Sequence, residues 1–147
     1  MRVLERKNHS HINLMALYEA NFEKFVAMIP DGAPGELLLR NAAYSGMVLQ
    51  MRALERAPYT STWQVLAHYA GVESGLPCPT FRVRLYHDAK VLEVLFFQGR
   101  GRFLGEYPYP NPWMFARDEK RQVNKFFGEL LGYCVVNGFR AVAAVQA

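Results

Sequence analysis

The segment from Phe81 to Asp88 constrains the fold of this chain more than any other. Apolar side chains at positions 81, 83 and 85 alternate with polar side chains at 82, 84 and 86. A period of two is typical of a β-strand that buries one face. After a short turn comes a second apolar run, from Val91 to Phe97. The sequence therefore predicts a β-hairpin that holds two arginines, a tyrosine, a histidine and an aspartate close together.

The apolar positions of the two runs fix how the strands pair, because a shift by one residue would turn these side chains to the wrong face. The matching register gives three apolar pairs: Leu85 with Leu92, Val83 with Val94, and Phe81 with Phe96. It also sets Arg84 opposite Glu93 on the other face, where we predict an ion pair. Two roles are open for this pair. It stabilises the sheet, or Glu93 orients the Arg84 guanidinium toward a ligand carboxylate or phosphate.

Helical periodicity occurs on both sides of the strand-rich middle of the chain. Residues 10–29 predict a first helix capped by Ser10, and residues 118–137 predict a second helix that begins at Asp118. The pair Asn137-Gly138 is a clear stop for the second helix. Between the helices the sequence predicts strands at 36–41, 44–55, 59–69, 80–87, 91–98 and 102–106.

The order of these elements predicts an α+β fold. It consists of an N-terminal helix, an antiparallel meander of five or six strands, and a C-terminal helix packed on the sheet. Residues 1–9 are expected to form a flexible N-terminal arm, and residues 10–147 a single domain. The apolar tail at 139–145 is expected to add a final edge strand.

Composition and charge narrow the class of protein. The chain has 147 residues, of which 51% are hydrophobic, and a formal net charge of +4. No apolar run approaches the roughly 20 residues of a membrane-spanning helix, and no apolar stretch follows the basic N-terminus. We therefore expect a cytoplasmic protein without a membrane partner. Cys78 and Cys134 each stand alone, so no zinc site is expected. No P-loop or dinucleotide-binding pattern is present in the sequence, and no cofactor is expected.

The residues with chemical potential lie near the hairpin and at the start of the second helix. His87 is suited to act as acid or base with Asp88 or Glu93, although an aspartate at a turn commonly bonds its own backbone and a histidine there is more often solvated. The start of the second helix favours an anion, although a solvated helix start has the same composition. The full set of predicted ligand-binding residues is Arg84, Tyr86, His87, Asp88, Glu93, Arg102, Arg117, Asp118 and Lys120.

Potential anion-binding groups thus recur, while no known catalytic signature is present. The leading hypothesis is a non-enzymatic binding or adaptor protein that recognises an anionic partner, such as a nucleotide, a nucleic acid or an acidic peptide. The first alternative is a small hydrolase or transferase that uses His87 with Asp88 or Glu93. The second alternative is a protein–protein interaction module that acts as a homodimer.

Several of these segments together resemble a known family. They are Arg-Leu-Tyr-His-Asp-Ala at 84–89 with the nearby Val-Leu-Glu-Val at 91–94, Tyr-Pro-Asn at 109–111, and the Arg-Asp-Glu-Lys segment with the following Gln and Asn at 117–124. In combination they are similar to the YqiB-like family of small uncharacterised proteobacterial proteins, classed as a domain of unknown function. The similarity runs from Tyr18 to Gly138. The resemblance implies a bacterial cytosolic protein and implies no reaction.

Overall fold

The computed structural model describes residues 2–30, 32–41, 44–69, 79–98 and 117–142, with side chains described except at 2–13, 44–45, 69 and 117–118. Two helices and six strands lie in these ranges. The helices are α1 (Arg2–Met28) and α2 (Arg117–Val136). The strands are β1 (Glu36–Asn41), β2 (Tyr44–Arg56), β3 (Thr60–Tyr69), β4 (Thr80–Tyr86), β5 (Val91–Gln98) and β6 (Arg140–Val142).

All six strands join one antiparallel sheet in the order β5-β4-β3-β2-β1-β6. The first five strands form the predicted meander, because each pairs with the next one along the chain. Strand β6 returns after α2 and pairs with β1, which confirms the final edge strand expected from the apolar tail. The predicted α+β fold, with a C-terminal helix packed on the sheet, is confirmed.

The two faces of the sheet differ sharply in composition. One face, which we call the inner face, carries the apolar members of each strand, and both helices pack on it. Phe25 of α1 lies edge-on to Trp63 with ring centroids 5.9 Å apart, and Phe127 of α2 lies 4.8 Å from Phe81. Burying a large apolar side chain of this kind stabilises the fold by roughly 1.5–3 kcal/mol. The opposite face, which we call the outer face, carries the alternate residues, most of them polar, with half-buried apolar residues such as Leu38, Val48 and Leu66 among them.

The first helix differs from its predicted limits at one end. It begins at Arg2, so residues 2–9, predicted to be a flexible arm, continue the helix, and Ser10 lies within it instead of capping it. It ends at Met28, as the following Pro30 and Gly32 predict. Helix α2 stops at Val136, and Gly138 has a φ of 73°, a left-handed value that glycine adopts without a steric cost.

The predicted hairpin is present with one change of register. Leu85 pairs with Leu92, and Val83 pairs with Val94, as predicted. The predicted pairing of Phe81 with Phe96 is wrong, because a β-bulge between Val94 and Phe96 shifts the alternation by one residue. Phe97 therefore opposes Phe81 on the inner face, and their ring centroids are 4.8 Å apart.

The predicted strand at 102–106 and the proline-rich segment at 107–113 lie outside the described residues. Within the described part of the chain, neither helix has a stretch long and apolar enough to cross a bilayer.

Candidate functional site

Arginines are the most frequent charged residues on the outer face. Arg82 and Arg84 alternate with buried residues along β4, so both side chains project to this face. The cross-strand register brings three more arginines to the same face, one each from β1, β2 and β6. The complete set is Arg40, Arg52, Arg82, Arg84 and Arg140. All are exposed except Arg84, which is half-buried.

Arg84 is oriented by a neighbouring strand. Its Nε donates a hydrogen bond of 3.1 Å to Oγ1 of Thr62, a buried residue directly opposite on β3. This bond uses the inner N–H of the guanidinium group. The terminal nitrogens form no hydrogen bond or ion pair with a described residue. They keep the two-pronged donor geometry that matches a carboxylate or a phosphate.

Glu93 faces Arg84 across the hairpin, as the predicted register requires. The predicted ion pair between them is nevertheless wrong. The Glu93 carboxylate lies 2.5 Å from Nζ of Lys120, and it accepts a 3.3 Å hydrogen bond from the Tyr86 hydroxyl. The reason is that α2 brings a second cation to the open side of the edge strand β5. Glu93 is therefore paired with the helix, and it forms no ion pair with Arg84.

Asn124 is the residue that holds α2 against the edge strand. Its Oδ1 accepts a 2.9 Å hydrogen bond from the Val94 N–H, a main-chain donor on the open side of β5. Its Nδ2 donates to the main-chain oxygen of Lys120 at 2.8 Å. From α1, Asn21 Nδ2 donates to the main-chain oxygen of Asn124 at 2.9 Å. This buried network fixes the position of the turn that carries Lys120.

Tyr18 of α1 lies in the electrostatic environment of the same cluster. Burial, followed by the negative charges of Glu93 and Tyr86, raises the pKa of Tyr18 to about 12. The Tyr18 hydroxyl is therefore neutral at physiological pH. Glu93 thus pairs with Lys120 of α2, and its charge also acts on Tyr18 of α1.

Phe96 is the aromatic residue that the bulge turns to the outer face. It stands opposite Arg82, whose guanidinium carbon lies 5.4 Å from the centre of the ring, a cation–π distance. The same line across the sheet continues through Gln64 of β3 to Arg52 of β2. We call these four residues, Phe96, Arg82, Gln64 and Arg52, the Phe96 row.

The far side of the outer face has a like-charge pair. Arg40 of β1 and Arg140 of β6 are direct cross-strand partners. Like charges in this position destabilise a sheet. Neither arginine forms an ion pair with any described residue. Glu36 and Glu55 also lie on this face, opposite Arg52 and Thr62.

His87 and Asp88 lie apart from this surface, at the hairpin turn. Asp88 Oδ1 accepts a hydrogen bond from the Ala89 N–H at 2.9 Å, which confirms the turn role that the sequence allowed. His87 Nε2 lies 2.8 Å from Ser61 Oγ, and that hydroxyl accepts a 3.1 Å hydrogen bond from Trp63 Nε1. No carboxylate among the described residues bonds the His87 ring. The partner Ser61 was not predicted, because it lies on another strand and its segment has no recognisable motif.

Three predicted site residues stay untested. Arg117 and Asp118 form the first turn of α2, but their side chains are outside the described set, and Arg102 lies outside the described residues altogether. No group of three or more described His, Cys, Asp or Glu side chains is arranged to hold a metal ion. Of the predicted set, the structure brings Arg84, Tyr86, Glu93 and Lys120 together.

Comparison with known proteins finds relatives of unknown function. The chain matches the profile of a family described as "Protein of unknown function (DUF1249)" over residues 24–140. Proteins described as "Uncharacterized protein YqiB" from three Escherichia coli strains are each 37% identical to it over 133 residues, which cover 88% of this chain and 91% of each relative. No solved structure matches the chain at a significant level.

Proposed function

The chain belongs to the DUF1249 family of proteins of unknown function, and we propose that it is a binding or adaptor protein whose outer sheet face binds an anionic partner. One observation carries this proposal. Five arginines lie on a single face of the sheet, and none forms an ion pair with a described residue.

The charge balance of the face supports this proposal. Lys120 neutralises Glu93, so Glu36 and Glu55 are the remaining carboxylates among the described residues of the face. Two of the arginines, Arg40 and Arg140, oppose each other directly, which costs free energy in the unbound protein. An anionic partner would offset this cost, because each phosphate or carboxylate it presents would be shared between guanidinium groups.

Arg84 gives the surface a defined central contact. Thr62 holds its guanidinium in one orientation, so little side-chain entropy is lost when the terminal nitrogens bind an anion. Its neighbour Tyr86 adds a hydroxyl beside the same strand. We expect Arg84 to contribute more to binding than the fully exposed arginines.

Calorimetric titration with a nucleoside triphosphate, an acidic peptide, a short oligonucleotide and polyphosphate tests the proposal. Each titration is run at about 50 mM and about 200 mM salt, because exposed ion pairs weaken as salt rises. We expect micromolar binding of at least one of these anions at low salt, and a marked loss at high salt. Binding of none of them at low salt would refute the proposal.

A matched pair of variants locates the binding surface. Arg84→Gln and Lys125→Gln each remove one positive charge, but Lys125 is an exposed residue of α2 and lies off the sheet. We expect Arg84→Gln to weaken anion binding about tenfold, the loss of one charge-assisted contact. We expect Lys125→Gln to stay within about twofold of the unmodified protein. Equal effects of the two substitutions would show that net charge alone is responsible.

A second candidate function, a small hydrolase or transferase, is favoured by the contact between Ser61 and His87. His87 Nε2 would accept the Ser61 hydroxyl proton as Oγ attacks an acyl or phosphoryl centre, and the Trp63 N–H would stabilise the charge on Oγ. A fluorophosphonate probe tests this function, because attack by Oγ forms the O–P bond and expels fluoride. Labelling that disappears in Ser61→Ala supports it, and an absence of labelling rejects it.

We also propose that the protein acts in the bacterial cytoplasm. In support, Cys134, the described cysteine, is a buried free thiol, as is usual in a reducing compartment. Cell fractionation checks this location.

We also propose a homodimer, which is supported by the exposed apolar side chains Phe126, Tyr133 and Val136 of α2. Sedimentation at micromolar concentration decides between monomer and dimer.

A further inference from the structure

The outer face carries more than charge, and the extra chemistry is concentrated in the Phe96 row. Across four adjacent strands, the row presents an aromatic ring, a guanidinium group, a carboxamide and a second guanidinium group, in that order. Neighbouring strands are about 4.8 Å apart, so the row is roughly 14 Å long. A partner that spans it meets the Phe96 ring at one end and the Arg52 guanidinium at the other, where Glu36 of β1 is the next residue along the line.

We infer that the anionic partner is a single-stranded nucleic acid, whose bases stack at Phe96 and Arg82 while its phosphates contact Arg52 and Arg84. This inference rests on the proposed function and specifies its partner. Arg82 already lies over the Phe96 ring, so its guanidinium plane extends the stacking surface. Base–aromatic stacking and arginine contacts are the usual means by which open protein surfaces hold single strands.

The polar residues between the charges suit bases better than a simple polyanion. Gln64 lies between Arg82 and Arg52, and its amide can both donate to and accept from a base edge. Further along β3, His68 Nε2 lies 3.0 Å from Oε1 of Gln50 on β2, and this contact adds a second ring and amide to the same face. An acidic peptide or polyphosphate would contact the arginines but would make no use of the Phe96 ring as a stacking surface.

A duplex fits the same surface less well. Its bases are stacked on one another and are read by elements that enter a groove, whereas the Phe96 row belongs to a sheet face. The stacking platform requires bases that are free to leave their neighbours, and single strands provide them. The geometry therefore favours a single strand over a duplex of the same charge.

Fluorescence anisotropy tests this inference with a labelled single strand of about 12 nucleotides, as RNA and as DNA. Unlabelled competitors are a duplex of the same sequence and polyphosphate of equal charge. We expect either single strand to bind at low salt and to be displaced only weakly by both competitors. A preference for RNA or DNA then identifies the source of the strand, and either preference supports the inference.

Two substitutions separate stacking from charge. Phe96→Leu removes the ring from a half-buried position and is expected to weaken single-strand binding about tenfold while leaving polyphosphate binding unchanged. Phe96→Tyr keeps the ring and is expected to bind like the unmodified protein. Arg52→Gln is expected to lower the salt dependence of binding by about one ion, with Lys125→Gln as its control. Circular dichroism confirms that each variant is folded.

The possible failures are distinguishable. If polyphosphate and the single strand compete equally and Phe96→Leu has no effect, the nucleic-acid inference is wrong while anion binding stands. A duplex that binds as tightly as the single strand likewise overturns the inference. If no anionic probe binds at low salt, both this inference and the proposed function fail.

Discussion

Gly128 of α2 lies directly against Asn21 of α1, so closely that a Cβ atom at position 128 would stand 2.5 Å from Asn21 Oδ1. Asn21 is fully buried, and its Nδ2 is held by the main-chain oxygen of Asn124. Its Oδ1 has no hydrogen-bond partner among the described residues. The two helices therefore approach at a point where only glycine fits, and the side chain that faces it cannot easily move away.

We predict that Gly128→Ala destabilises the protein. In an open helix this substitution would stabilise by up to about 1 kcal/mol, but forcing a methyl group into the Asn21 amide costs roughly 1–3 kcal/mol. Gly132→Ala, one turn further along α2, is the matched control. Its Cβ would meet only Lys24 Nζ at 3.7 Å, an ordinary contact, so it is expected to stabilise slightly. Urea denaturation of both variants checks the sign of each change.

Substitution of Asn124 is predicted to lower the free energy of unfolding more than substitution of an exposed neighbour on α2. Asn124→Ala removes the acceptor of the Val94 N–H and leaves that buried donor unpaired, which costs about 1–3 kcal/mol. Gln122→Ala, an exposed position on the same helix, is expected to change the free energy of unfolding by less than about 0.5 kcal/mol. Hydrogen exchange of the Val94 amide should accelerate in Asn124→Ala alone. Unchanged protection would contradict the bond.

The charge of Glu93 is predicted to act on Tyr18. Burial is the largest cause of the raised pKa of Tyr18, and the Glu93 carboxylate is the next. Glu93→Gln is therefore expected to lower the pKa of Tyr18 from about 12, while burial keeps it above 10.0. Tyrosinate absorbance reports this titration when each protein is compared with its own Tyr18→Phe counterpart. A pKa that does not fall in Glu93→Gln would place Tyr18 outside the cluster.

Cys134 is predicted to make stability fall at high pH. Burial raises the pKa of its thiol from 9.0 to about 12. Above pH 9 the thiol of the unfolded chain therefore loses its proton while that of the folded protein keeps it, and this ionisation lowers the free energy of the unfolded state. The stabilisation is complete below pH 9 and decreases as the pH approaches 12, by on the order of 1 kcal/mol at pH 10. The thiol should also resist alkylation at pH 8 in the native state.

The comparison variant for this prediction is Cys134→Ala. It is less stable at neutral pH, because it leaves a small cavity, but it lacks the proton-linked slope. The difference in unfolding free energy between the two proteins should therefore shrink from pH 8 to pH 10.5. If this difference in unfolding free energy stays constant over the range, the buried Cys134 thiol does not cause the loss of stability at high pH.

Local patterns explain which parts of the fold were predictable. The pairings of Leu85 with Leu92 and of Val83 with Val94 follow from alternation on both sides of a short turn, and Asn137-Gly138 marks a helix end by itself. The bulge near Leu95 was not predictable, because the following residues are apolar at consecutive positions and satisfy either register. The bulge places Phe96 on the outer face beside Arg82, where the ring can serve as a stacking surface.

The candidate site was predictable only in part, for a different reason. The alternation of β4 places Arg82 and Arg84 on one face from sequence alone. The partner of Glu93 required knowing that α2 packs along the edge of β5, and the pairing of Arg40 with Arg140 required knowing that β6 returns to β1. Both are contacts between segments far apart in the chain, and neither the charge of a residue nor its spacing specifies them.

The order of strands also bears on how the protein behaves at high concentration. Open strand edges invite pairing with other chains and so promote aggregation. Here one outer strand, β5, has its Val94 donor occupied by a side chain of α2, and the other, β6, is only three residues long and carries an arginine. Each margin, within the described residues, therefore has one feature that disfavours pairing with another chain. Both features act against the edge-to-edge recruitment of further copies that leads to fibres.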